Sequence, residues 1–148
     1  MPRFRYRMQN ILDLDEKLED QQKIVFSIAN SRLMDEQKKL QELILRKANF
    51  EQRVKEYAKG KINLMEIQHC KEGVRVMDIQ IKEQMIEIRK AQRQVDVERA
   101  KLNNAMQARK TQEKLKEKAF DSFKVEVAAE ENKATDELIS YRYGISIG

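Results

Sequence analysis

Large apolar residues recur along this chain at alternating steps of four and three. From Phe4 the walk lands on Met8, Ile11, Asp15, Leu18, Gln22, Val25 and Ala29. One residue is absorbed there, and the walk continues through Leu33, Glu36, Leu40, Leu43, Lys47, Phe50, Val54, Tyr57 and Lys61 to Leu64. Thirteen of these eighteen positions are apolar, a heptad seam long enough to predict coiled coil. The slip near Ala29 predicts a local change of supercoil winding. The opening MPRFRYRMQN alternates arginine with bulky residues, as a strand does. Phe4, Met8 and Ile11 nevertheless share one helical face, and Pro2 suits a first helical turn. Those residues are therefore expected to open the first helix.

A second seam runs through Val74, Met77, Ile81, Gln84, Ile88, Ala91, Val95, Glu98, Leu102 and Ala105. It slips once and resumes at Ala108, Gln112, Leu115, Ala119, Phe123 and Val127. Between the seams lies GKINLMEIQHCKEG, residues 60–73, with a glycine at each end. Glycine commonly follows a helix end, where left-handed backbone is needed. The expected fold is all-α: two long helices in an antiparallel coiled-coil hairpin, forming one domain. Helix one covers about 3–60, the tip 60–73 and helix two about 74–140, with a frayed end at 141–148. At ~1.5 Å per residue such a hairpin is a rod of roughly 80–100 Å.

Composition agrees with long helix. Charged residues make up 37%, Trp is absent and Pro2 is the sole proline. Cys70 is the single cysteine, so no internal disulfide forms and a reducing compartment fits. No stretch approaches the roughly 20 apolar residues of a membrane span. ILDLDEKLED follows the basic start and lacks the apolar run of a signal peptide. A cytoplasmic protein is expected.

Charge changes the picture further. The net charge is +5, and it is uneven. Residues 1–10 hold three arginines and no acid, and residues 89–118 hold ten bases and four acids. Residues 119–148 hold six acids and three bases. An antiparallel hairpin would bring the basic start near Glu126 to Glu137. The basic band on the second helix is a footprint for an acidic partner.

Catalytic chemistry is missing. His69 is the only histidine, and adjacent His69 and Cys70 diverge by about 100° on a helix. Glu113 with Lys114 and Glu117 with Lys118 belong to solvated charge ladders. There is no Gly-rich phosphate loop. No enzyme activity and no cofactor or metal are expected; the protein acts by contact.

The start MPRFRYRMQNILDLDEKLED and the later ERAKLNNAMQARKTQEKLKEK resemble the flagellar type III export proteins of the FliJ family. Glu98, Arg99, Leu102, Ala105, Arg109, Lys110, Glu113, Lys114 and Leu115 carry the second match, and Asp136–Glu137 fits as well. The likeness covers essentially the whole chain. It implies a coiled coil that enters the hexameric flagellar export ATPase as a stalk, touches the membrane export gate and assists export chaperones. It also implies a place at the inner face of the membrane, at the flagellar base. The paired ends, Arg3 to Leu18 and Arg109 to Glu137, would enter the ring. The candidate ATPase contacts are Arg3, Arg5, Arg7, Arg109, Lys110, Lys114 and Lys118. The candidate gate contacts, at the tip and the start of helix two, are Ile62, Leu64, Met65, Ile67, Val74, Met77 and Ile81. Neither nucleic acid nor direct membrane insertion is expected.

Two other classes compete. A basic coiled coil could bind nucleic acid, but Asp96, Glu98, Glu113 and Glu117 interrupt the basic band. No aromatic residue for base stacking lies between Tyr57 and Phe120. A generic scaffold or holdase is the other.

Overall fold

A computed structural model describes residues 2–147. It contains two helices, α1 (Gln9–Ala58) and α2 (Leu64–Ile147). The fold is all-α, a helical hairpin in which the two helices pack against each other, with no strand among the described residues. Two compact units divide the chain: Gln21–Leu102, and Met1–Asp20 with Asn103–Gly148.

The central unit is built around small side chains. Ala29, Leu33, Ala91 and Val95 form a buried cluster, with Phe26 and Ile88 packed against it. Alanine at the seam lets the helix backbones approach, and Ala91 is fully buried. A polar clamp closes each end of this cluster. Gln22 donates to the side chain of Glu98 and to its backbone carbonyl, the latter at 3.1 Å. Gln84 does the same to Glu36, at 2.9 Å to the carbonyl. The arrangement has local twofold symmetry. Each helix carries Gln, then Ala seven residues on, then Glu seven further on (Gln22, Ala29, Glu36; Gln84, Ala91, Glu98). Antiparallel pairing sets each Gln against the other helix's Glu. Farther along, Lys47 pairs with Asp78 at 2.7 Å. Partners on α2 fall in number as those on α1 rise, the signature of antiparallel packing.

Buried and half-buried positions on α1 run Leu12, Asp15, Glu19, Gln22, Phe26, Ala29, Leu33 and onward to Tyr57 in unbroken three–four alternation. No phase slip occurs near Ala29. The expected seam positions Ile11, Leu18 and Val25 are 45%, 47% and 42% exposed. Likewise α2 passes from Ala105 to Arg109, Gln112 and Lys116. The expected Ala108 and Leu115 lie outside the seam. Both corrections have one cause: Glu19 and Arg109 occupy core positions and satisfy each other, so a walk along apolar residues steps around them.

The ends of the helices also differ from expectation. Residues 2–6 are irregular and residues 7–8 form a turn, so the first helix begins at Gln9, not residue 3. Three arginines at the positive end of a helix dipole are unfavourable. Phe4 instead leaves the helical path and packs on α2. At the tip, Gly60 has φ 95°, the left-handed conformation expected of a glycine past a helix end. The second helix starts at Leu64, about ten residues early, because Asn63 caps it. The Asn63 side chain accepts from the Glu66 N–H at 3.3 Å. Gly73 therefore lies inside α2. Its role is close approach: a Cβ there would sit 2.8 Å from the Phe50 ring. Finally, α2 continues through residues 141–147, where fraying was expected. No proline interrupts it, and the helix interior tolerates Gly144 at a cost of about 1 kcal/mol.

Candidate partner-binding surfaces

The terminal unit holds the sequence-named cations. Its irregular start, residues 2–6, lies on α2 through Phe4. The Phe4 ring sits 5.1 Å from Phe120, edge on, and 5.5 Å from Phe123. The Tyr6 hydroxyl donates to Gln112 at 2.7 Å. These contacts turn Arg3, Arg5 and Arg7 outward, and all three are exposed. None of them forms an ion pair among the described residues. The expected pairing with Glu126 to Glu137 is absent, because the irregular segment ends its packing at Phe123.

Arg109 behaves differently from the other named cations. Its guanidinium is bonded to Glu19, which is 3% exposed, and to Glu113 at 2.9 Å. The Glu19 hydrogen bond, then that of Glu113, raises the Arg109 pKa above its ordinary value. Arg109 is thus a seam residue with both faces of its fork engaged, and it does not point a free charge at a partner. Lys110, Lys114 and Lys118 are exposed along α2, four residues apart. They form a stripe on the outer face, as the spacing implied.

The tip belongs to the central unit. Ile62, Leu64 and Met65 are 64%, 67% and 81% exposed, although all three are apolar. Ile67, Val74 and Ile81 are half-buried. Met77 is buried at 8% and faces α1, because it sits on the seam of α2. Ile62, Leu64 and Met65 are therefore the named apolar residues that the tip leaves most exposed, and Met77 is covered. Cys70 is buried at 1%, while neighbouring His69 is exposed. No group of His, Cys, Asp or Glu among the described residues could hold a metal ion. No helix of the described residues is long and apolar enough to cross a membrane.

The polar network carries pKa consequences that are structural. The Gln84 hydrogen bond, followed by Lys39, lowers the Glu36 carboxyl below its usual value against the opposing effect of burial. Asp78 raises the Lys47 ammonium. Both groups tie the helices together.

The described residues make a paired-helix protein with charged outer faces, an apolar tip, and buried Glu19 and Glu98 bonded to neighbouring side chains. The family model described as "Flagellar FliJ protein" matches residues 4–146. The chain belongs to that family, whose members are components of flagellar protein export. No curated protein and no solved structure matches the chain.

The Gln-Ala-Glu repeat and the Glu19–Arg109 pair were missed in the sequence. The repeat was visible as two identical spacings. The ion pair was not, since nothing in either helix alone says that the two charges meet.

Proposed function

We propose that this protein is the stalk of the flagellar export ATPase, inserting the terminal unit into the hexameric ring and presenting the tip toward the membrane export gate. In this reading it promotes ring assembly and activity and assists delivery by export chaperones. It acts at the inner face of the membrane and carries out no catalysis itself. Family membership over nearly the whole chain supports the setting. The single observation that carries the mechanism is the outward turn of Arg3, Arg5 and Arg7 by the Phe4 anchor. It leaves three cations unpaired at the terminal unit, which also carries the exposed Lys110, Lys114 and Lys118 stripe. Exposed cations of this kind accelerate encounter with an acidic rim and act chiefly on the on-rate.

The test is stimulation of the purified export ATPase at ~50 and ~200 mM salt, where screening differs about twofold in length. Replacing Arg3, Arg5 and Arg7 by Gln should weaken stimulation most at low salt. The Lys110, Lys114 and Lys118 triple-Gln variant is the second arm. Helix content must match wild type. Full stimulation by both variants at both salts would remove charge docking from the mechanism.

A further inference from the structure

Two features of the terminal unit expose apolar side chains to solvent, and their chemistry is complementary. The first is the end of α2. Every residue from 128 to 144 is exposed. An isolated helix of roughly this length is marginal in water. It is amphipathic: Ala134, Leu138 and Tyr141 follow at i, i+4 and i+7, one face. Its polar surface is acidic on balance, with Glu130, Glu131, Asp136 and Glu137 against Lys133 and Arg142.

The second feature is one flank of the paired helices. Glu19 and Arg109 both lie in the seam, so the positions just before them, Leu18 and Ala108, fall on the same side of the pair. One heptad outward, Ile11 and Leu115 extend that side, because in an antiparallel pair equivalent flanking positions of both helices share a side. Ile11, Leu14, Leu18 and Leu115 are 45%, 54%, 47% and 41% exposed. No carboxylate occupies the positions that line this side, whereas Glu16, Glu113 and Glu117 stand on the opposite one. Exposed Lys118 stands on the same side of α2.

We propose that the acidic end of α2 docks on this apolar, acid-free flank of a second copy of the chain, giving a reciprocal twofold dimer. The occupant is a second copy because the two surfaces match within one sequence yet cannot meet within one molecule. The helix runs unbroken from Leu115 to Ile147 and carries its end away from its own flank. Twofold symmetry makes the contact twice, so a small patch on each side is used to full effect. The contact is of the weak, transient size class. This inference goes beyond the stalk role and does not depend on it.

Sedimentation equilibrium of the full chain tests it, from ~5 to ~500 µM, the range in which small interfaces associate. The mean mass should rise from the 17.6 kDa monomer toward twice that value, and less so at high salt. Leu18→Asp and Leu138→Asp should each weaken association about tenfold or more while helix content stays constant, since both side chains are exposed. An equimolar mixture of the two variants should associate more strongly than either alone, because one intact flank then meets one intact helix end. A 17.6 kDa species at every concentration overturns the proposal. So does association that both variants leave unchanged, or a mixture no better than its components. If the wild type stays monomeric while Leu18→Asp loses binding to the purified export ATPase, the flank takes a foreign helix and the second copy is ruled out.

Discussion

Glu19 of α1 and Arg109 of α2 meet inside the seam, the carboxylate almost wholly removed from water and the guanidinium shared with Glu113. A buried pair of this kind contributes little net stability, yet removing the guanidinium takes its main bond from a carboxylate that stays buried. Its consequence is register. Shifting the helices by one heptad would part the pair and set Arg109 beside Leu12 or Phe26.

Single replacement and joint replacement should therefore differ in sign. Arg109→Met alone is expected to destabilise, because Glu19 stays buried without its fork. Glu19→Leu with Arg109→Met should come out near neutral or stabilised. Urea unfolding of the two singles and the double closes the cycle. Additive losses would mean that the two residues do not act as a pair.

The Glu36 clamp predicts acid sensitivity. Its folded pKa is lowered, chiefly by Gln84, so its contribution is present above the unfolded value and lost as pH falls through the folded one. The melting temperature should drop below about pH 4.3, the ordinary Glu value. Glu36→Gln should flatten that acid limb. Parallel melting curves against pH for the two proteins would exclude the clamp as a source.

Gly73 should be intolerant of a side chain only because Phe50 faces it. Ala for Gly inside a helix ordinarily stabilises by roughly 0.5–1 kcal/mol. With a Cβ 2.8 Å from the Phe50 ring, Gly73→Ala is expected to destabilise instead. In a Phe50→Ala background the same change should turn stabilising. Thermal melts of the four proteins decide it.

Phe4 should act locally. Phe4→Ala removes the contact with Phe120 and Phe123, so residues 2–8 should exchange amide hydrogens faster. The global melting temperature should move little, because the seam begins at Leu12. A large loss of global stability would show that the irregular start is part of the cooperative core.

At the tip, exposure separates two chemically similar methionines. Met65→Asp should leave the melting curve unchanged. Met77→Asp should cost several kcal/mol, since an unpaired charge would be buried against α1. Denaturant titration of both variants measures the contrast. Binding of the export gate protein can then be scored on the Met65 variant without ambiguity about folding.

Heptad spacing, the absence of breakers and the glycine at residue 60 determined two antiparallel helices joined near mid-chain. These are local properties, carried by the order of residues in one chain. From Ala29 to Tyr57, and from Val74 to Ala105, apolar spacing also assigned the seam correctly, because packing there is mostly apolar. What the tertiary structure decided are the places where one helix answers another. Glu19 is buried because Arg109 is opposite, position 73 has no room for a side chain because Phe50 fills it, and Phe4 leaves the helix because Phe120 and Phe123 receive it. Each depends on a residue far away in the sequence. Burial of a charge or bending of a backbone is favourable only once that distant partner is in place.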